Sequence, residues 1–105
     1  MSKRKQIKPY FRRHKIDGHK KLIYGETYDG KDYKYASFTH AKFTQGLKNT
    51  KLKYNIDSAD REDCYVRPFT THDSKGNFKK KKLKGLKIHK ADKKIIRKVK
   101  HNYVE

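Results

Sequence analysis

The chain has 105 residues and a formal net charge of +19, from 30 Lys and Arg against 11 Asp and Glu. This length suits one domain and is too short for two well-packed ones. Self-repulsion at this charge is usually offset by anions, so the composition predicts a polyanionic partner. No apolar run approaches the roughly 18 residues that span a bilayer, so no spanning segment is predicted. Attraction of the basic C-terminal helix to an anionic membrane surface is a weaker option, because its apolar stripe has only four residues and no Trp or Phe, and no membrane partner is expected. The single Cys64 excludes an internal disulfide.

Residues 1–15 contain seven Lys or Arg and no acid. We predict that they form a basic N-terminal arm that contacts phosphate through Arg4, Lys5, Arg12 and Arg13. Residues 16–105 are then expected to form a single small β-rich domain that ends in a helix.

The first strands of that domain are predicted on either side of Asp29-Gly30. This dipeptide favours a type I′ turn, and a hairpin with that two-residue loop puts Tyr24 opposite Tyr35. The two faces of the hairpin would then carry Leu22, Tyr24, Tyr28, Tyr33 and Tyr35 on one side and Ile23, Ala36 and Phe38 on the other. Because aliphatic residues are few, we expect the tyrosines to pack in the core, and base stacking is the alternative role.

The middle of the chain is expected to hold two more strands. Residues 40–50 are predicted to form a connection with one helical turn, and alternation over Lys51–Ile56 predicts a strand. An acidic loop over residues 55–63 separates it from a strand over Cys64–Thr71, in which Pro68 requires either an edge position or a bend. HDSKGN then predicts a turn.

The C-terminal region predicts a helix over about residues 91–103, with Ile95, Ile96, Val99 and Tyr103 on one stripe. The expected fold is mainly β, either a small curled antiparallel sheet or an SH3-like barrel, with this basic helix at its C-terminus. Lysines favour backbone contact over base reading. The expected phosphate contacts of this region are Lys79, Lys80, Lys81, Lys82, Lys94, Arg97 and Lys98.

The sequence offers little support for nucleotide hydrolysis or metal chemistry. It has no Gly-rich phosphate loop, no HExxH and no paired carboxylates, and its six histidines lack zinc spacing, so we predict neither metal nor cofactor. Metal-independent RNA cleavage needs only a base, an acid and a cation. The candidates, chosen for positions in or near predicted strands, are His19, Thr39, His40, Arg67 and His72.

The stretch GHKKLIYG, followed by YKYASFTHAK, resembles the opening strands of MazF/PemK-type toxins, over residues 18–72. The resemblance implies an SH3-like barrel that cleaves RNA without metal, is inhibited by an antitoxin and is often dimeric. Thr39 and Arg67 would carry over as site residues. Where that family commonly has His-Pro, this chain has His19-Lys20.

The leading hypothesis is a nucleic-acid-binding protein of a phage or other mobile element, with RNA preferred over DNA because of the aromatic hairpin. A toxin-like endoribonuclease is the alternative, and a ribosome-associated structural protein is a further one. The expected partners are nucleic acid and an acidic protein such as an antitoxin, and the expected location is the cytoplasm.

Overall fold

The structure is a computed structural model that describes residues 8–105. Seven strands and one α-helix follow in chain order: β1 (Tyr10–Arg13), β2 (Lys20–Glu26), β3 (Asp32–Thr39), β4 (Phe43–Thr44), β5 (Leu47–Lys48), β6 (Thr50–Lys51), β7 (Tyr65–Ser74) and α1 (Lys93–Lys100). Five of them form an antiparallel sheet of order β1-β2-β3-β7-β6, and β4 pairs with β5. The predicted class, mainly β with a curled antiparallel sheet and a C-terminal helix, is confirmed, and the sheet stays open rather than closing into a barrel. None of the helices in residues 8–105 is long and apolar enough to cross a membrane.

The N-terminal part of the sheet includes residues that the sequence assigned to the arm. Tyr10–Arg13 pairs with β2 in the register Phe11 opposite Leu22, and Phe11 is buried. The boundary predicted at residue 15 therefore moves to before Tyr10. Arg4 and Lys5 lie outside the described residues.

The β2–β3 hairpin has a different turn and register from those predicted. The turn spans Thr27 to Gly30, whose N–H donates to the Thr27 carbonyl at 2.9 Å, and Gly30 alone has a positive φ there, of +74°. A type I′ turn at Asp29-Gly30 is therefore wrong, because Asp29 would need a positive φ as well. A bulge between Ile23 and Gly25 also shifts the register.

Because of this bulge, the residues at the start of β2 point to the sheet faces opposite to those predicted. Ile23, rather than Tyr24, lies opposite Tyr35, and Leu22 lies opposite Ala36. Paired residues point to the same face of a sheet. Leu22 therefore joins Ala36 in the core, whereas Ile23 lies on the tyrosine side.

The core lies between one face of the sheet and the C-terminal half of the chain. Leu22, Ala36, Phe38 and Val66 contribute from the strands, and Leu52, Ile56 and Cys64 pack against them. Helix α1 closes this layer with Ile96 and Val99, both 5% exposed. It is shorter than predicted, since a 3₁₀ turn at Lys90–Asp92 precedes it and Tyr103 lies beyond its end, bridged to Thr70.

Residues 40–50 form a hairpin instead of a helical turn. Strands β4 and β5 are joined by Gln45 and Gly46, with φ of +49° and +78°. Positive φ at both loop positions is the signature of a type I′ turn.

The predicted strand over Lys51–Ile56 is wrong beyond its first residue. The N–H groups of Lys53 and Tyr54 donate to the Asp92 carboxylate at 2.8 and 3.0 Å. Asp92 is fully buried, so this carboxylate takes the place of a neighbouring strand.

Strand β7 confirms the predicted strand over Cys64–Thr71 and extends it to Ser74, where a 3₁₀ turn at Lys75–Asn77 follows. The register jumps from Phe38 opposite Val66 to Ala36 opposite Thr70. Pro68 lies in this irregularity, so the bend is the alternative that the structure adopts.

Candidate nucleic-acid interface

Four consecutive lysines, Lys79–Lys82, lie along the outer edge of β1. The N–H of Lys79 donates to the Arg13 carbonyl at 2.9 Å, and the N–H of Leu83 donates to the Phe11 carbonyl at 2.8 Å. All four lysine side chains are exposed. We call this segment the lysine edge. It covers an edge strand that would otherwise present unpaired backbone groups, and it places four cations next to the basic β1.

Arg12 holds the lysine edge in place. Its Nη1 donates to the carbonyl of Lys79 at 3.0 Å and also to the carbonyl of Lys80. The guanidinium lies 5.2 Å from the ring centroid of Tyr10 and 5.6 Å from that of Tyr33. Arg12 was predicted as a phosphate contact, and its contacts here show that it also positions other cations.

Two half-buried tyrosines and two lysines form a surface that we call the tyrosine patch: Tyr10, Tyr33, Lys75 and Lys82. The tyrosine rings meet edge to face, with centroids 6.4 Å apart. Lys82 Nζ lies 4.4 Å from the Tyr10 centroid, and Lys75 Nζ lies 5.2 Å from the Tyr33 centroid. Because Tyr10 alternates with the buried Phe11, the patch lies on the sheet face opposite the core, and Tyr10 also borders the opening between β1 and α1. Aromatic rings flanked by cations are what single-strand binders offer to unpaired bases.

Tyr35 has a structural role. Its ring packs on Phe78 with centroids 5.4 Å apart, as the ring of Tyr33 does at 5.3 Å, and Lys21 Nζ lies 5.2 Å from the Tyr35 centroid. Burial, with the nearby carboxylates of Asp73 and Asp17, raises the pKa of Tyr35 to about 12. The core role predicted for the tyrosines fits Tyr35 better than it fits Tyr10 and Tyr33.

Lys21 is a cation that phosphate does not reach. It is 3% exposed, and its Nζ donates to the Asp17 carboxylate at 2.7 Å and to Ser37 Oγ at 2.6 Å. Burial lowers the pKa of Lys21 and outweighs the opposing effect of Asp17. Sequence alone gave no sign that this lysine differs from its neighbours.

The cations of α1 face solvent. Ile96 and Val99 point into the core, and Lys94, Arg97 and Lys98 are exposed. Within residues 8–105, neither these three side chains nor the lysine edge has a carboxylate within 4.0 Å. Their charge is therefore not compensated locally.

Most acidic side chains, in contrast, already contact a basic side chain or a backbone N–H group. In the acidic loop, Asp57 lies 3.6 Å from Lys20 and Asp63 lies 3.4 Å from Lys51. Asp92 is buried on backbone N–H groups. Lys75 of the tyrosine patch is also paired, with Glu26 at 2.7 Å. The surplus positive charge is thus concentrated on α1 and the lysine edge.

Three of the five candidate catalytic residues line one cavity of about 280 Å³, which we call the histidine cavity: His19, Thr39 and His40, together with Arg13 and Asp60. His19 precedes β2 and Thr39 ends β3, and antiparallel neighbours bring these two ends together. Both histidines are exposed, and Thr39 is 9% exposed.

The contacts of His40 hold its ring at the cavity by both nitrogens. Its Nε2 lies 3.0 Å from an Asp60 carboxylate oxygen, and its Nδ1 lies 2.9 Å from the Asp63 carbonyl. Arg13 supplies a cation at the same cavity and is fixed there by a 2.6 Å hydrogen bond to the Gly18 carbonyl.

The other two candidates lie elsewhere. Arg67 is buried, and its Nη1 donates to the Thr44 carbonyl and to Asn49 Oδ1, each at 3.0 Å. His72 pairs with Asp32 at 2.6 Å, and it lies opposite Lys34, about 17 Å along β3 from Thr39. Neither is brought to the histidine cavity.

In residues 8–105 no group of three or more His, Cys, Asp or Glu side chains is placed to hold a metal ion. Comparison of the chain with protein-family models, with curated proteins and with solved structures finds no match.

Proposed function

We propose that this protein binds nucleic acid, with single-stranded RNA as the preferred ligand. The observation that carries the proposal is the position of the lysine edge beside β1, where its four side chains have no carboxylate within 4.0 Å among the described residues and Lys82 Nζ lies over the ring of Tyr10. The other lysine of the tyrosine patch, Lys75, is paired with Glu26 at 2.7 Å. Basic residues that are far apart in sequence are thus brought together along β1.

Electrostatics supports the binding itself. A lysine that neutralises a phosphate releases condensed counterions, and this release dominates affinity when several cations act together. The tetralysine run cannot retract, because backbone hydrogen bonds at both of its ends tie it to β1. Less ordering is then needed on binding than for a mobile tail.

The tyrosine patch supports a preference for single strands. Tyr10 and Tyr33 are half-buried, so part of each side chain is accessible to a ligand. An unpaired base can stack on such a ring, for about 1–3 kcal/mol, whereas the bases of a duplex are already stacked on each other. RNA is preferred because proteins that read it commonly stack exposed bases in this way.

The experiment is a fluorescence-anisotropy titration with single-stranded RNA, duplex RNA and duplex DNA in EDTA. We expect the double variant Tyr10→Leu, Tyr33→Leu to lose about tenfold or more in affinity for the single strand and little for the duplexes. The matched control Tyr10→Phe, Tyr33→Phe keeps both rings and should bind as wild type does. Equal losses on all three ligands would refute the stacking role.

The histidine cavity favours a second candidate function, metal-independent cleavage of RNA. In this scheme His19 takes the proton of the 2′-hydroxyl, the 2′-oxygen attacks phosphorus, and the bond from phosphorus to the 5′-oxygen breaks. His40 gives the leaving 5′-oxygen its proton by exchanging its Asp60 contact for that oxygen, and Arg13 stabilises the charge on the phosphorane. The likeness to MazF/PemK-type toxins points to the same activity. In this scheme Arg13, rather than Arg67, supplies the cation.

Cleavage is tested by gel analysis of end-labelled RNA in EDTA. The double variant His19→Gln, His40→Gln should abolish cleavage and leave binding nearly unchanged. His72→Gln, which lies away from the cavity, is the matched control and should cleave as wild type does. Intact RNA with the wild-type protein would leave binding alone as the function.

We also propose that the protein works in the cytoplasm. Cys64 is a free, buried thiol, and burial raises its pKa, which keeps it protonated and unreactive. A lone reduced cysteine and an RNA ligand both fit that compartment.

A further inference from the structure

A second opening lies between β1, residues 83–88 and α1, and it shares no residue with the histidine cavity. Its volume is about 660 Å³, within the range of about 300–1,000 Å³ typical of ligand sites. We call it the cationic groove.

The floor of the cationic groove is apolar. Phe11, Leu22 and Ile96 come from the core, and Leu83, Leu86 and Ile88 are half-buried beside them. Partly exposed aliphatic side chains gathered in one concave surface favour an apolar ligand group. Phosphate gains nothing from contact with such a floor.

The rim of the cationic groove is wholly positive among its charged residues: Lys8, Lys87, Lys93, Arg97 and Lys100. Within the described part of the chain, none of these five has a carboxylate within 4.0 Å. Burial lowers the pKa of Lys100, so a carboxylate bound there would stabilise its charged form.

We propose that the cationic groove binds an acidic amphipathic helix of a partner protein, with apolar side chains on the floor and carboxylates on the rim. A helix that lays its apolar stripe into a groove is a recurring mode of recognition. Charge selects this occupant, because residues 1–7 of the chain itself carry three cations and no acid and would be repelled by the rim. The proposal does not depend on RNA binding.

Residue positions on α1 provide a matched pair of variants. Lys93 and Arg97 line the groove, whereas Lys94 and Lys98 are also exposed on the same helix and do not line it. Two double variants therefore change the net charge equally and at the same spacing along the helix. The groove variant is Lys93→Glu with Arg97→Glu, and the control variant is Lys94→Glu with Lys98→Glu. Both pairs are at the surface, so both variants should fold.

The probe is a fluorescein-labelled helical peptide of about 16 Leu and Glu residues, with Leu at i, i+3, i+4 and i+7. Its control is a peptide of the same composition with Leu scattered around the helix. Binding to the full chain is measured by anisotropy. We expect the amphipathic peptide to bind at least about tenfold more tightly than the scattered one. We expect Lys93→Glu, Arg97→Glu to lose about tenfold, and the control variant less than about twofold.

Equal binding of the two peptides, or equal losses in the two variants, would overturn the proposal, because net charge alone would then account for the affinity. Single-stranded RNA can be tested on the same two double variants. If RNA affinity falls much more in the groove variant than in the control variant, and the amphipathic peptide binds both variants equally, the groove belongs to nucleic acid instead.

Discussion

Single buried side chains determine how the loops of this small domain are held. Asp92 is the main example, since its carboxylate is fully buried and accepts the N–H groups of Lys53 and Tyr54. It ties the segment after β6 to the start of α1. In a protein of net charge +19, this acid is used for backbone hydrogen bonding rather than for an ion pair.

Replacement of Asp92 by Ala should lower the free energy of unfolding by about 2 kcal/mol, because two backbone donors lose their acceptor. Urea denaturation monitored by circular dichroism measures this loss. Asp63→Ala removes the same charge at a side chain that is 61% exposed, and it should cost less than about 0.5 kcal/mol. Similar losses for the two variants would show that net charge, and not the hydrogen bonds, is responsible.

A second residue-scale prediction concerns pH. Burial acts to raise the pKa of Asp73, but hydrogen bonds from His14, the Ser74 N–H and Asn77 outweigh it and lower the pKa below the ordinary value of 3.8. A lowered pKa in the folded state contributes stability above about pH 4, and that contribution is lost as the pH falls through the folded-state value.

Asp73→Asn should therefore be less stable than wild type at pH 5, and the difference should be smaller at about pH 2.5, because protonation of Asp73 as the pH falls removes the contribution of its charge. The measurement is the urea midpoint at the two pH values. A difference that is the same at both would contradict the ionised role of Asp73.

At the scale of elements, periodicity found the elements that bury an apolar face: β2, β3, β7 and α1. It missed β1, because the cations around Phe11 hide one buried ring. It also missed the bulge at Tyr24. A bulge depends on how two strands pair, so the hydrophobic pattern of a single strand does not show it. Alternation over Lys51–Ile56 reflects buried Leu52 and Ile56, but a distant carboxylate supplies the partner for that backbone.

The lysine edge is an element whose position depends on Arg12. Replacement of Arg12 by Gln should remove the hydrogen bonds to the carbonyls of Lys79 and Lys80 and increase local opening. We expect amide hydrogen exchange at Lys79 and Leu83 to rise about tenfold, as measured by NMR.

Arg61→Gln is the control for this prediction, since Arg61 is exposed and, among the described residues, donates no hydrogen bond to the lysine edge. It should leave both amides unchanged. Unchanged exchange in Arg12→Gln as well would mean that the backbone pairing to β1 is sufficient to hold the lysine edge.

At the scale of the molecule, antiparallel order explains which candidate site residues meet. His19 and Thr39 lie at the same end of the sheet, because one precedes β2 and the other ends β3. His72 is near the end of β7, which runs antiparallel to β3 and so lies at the opposite end. The residue types and their positions at strand ends were thus sufficient to predict that His19 and Thr39 lie near one another. The directions of the strands were needed to see that His72 lies elsewhere.

The basic surface was predictable in composition but not in shape. The lysines of residues 79–82 and the arginines of β1 are far apart in sequence, and only the pairing of β1 with residues 78–83 joins them. Composition predicts that a polyanion binds. The fold predicts where, and it adds Tyr10, Tyr33 and Lys75 to the contacts.

The most direct test is the salt dependence of single-stranded RNA binding by a variant with Gln at all four positions of the lysine edge. Its matched control has Gln at four exposed lysines elsewhere, Lys31, Lys42, Lys48 and Lys53. The slope of log K against log salt is negative, and each lost phosphate contact makes it shallower by about 0.7. We predict that the magnitude of the slope decreases by about 2–3 in the lysine-edge variant and by less than about 1 in the control. Equal decreases of the salt slope in the two variants would contradict a defined interface, because RNA would then be attracted by the net charge of the whole protein.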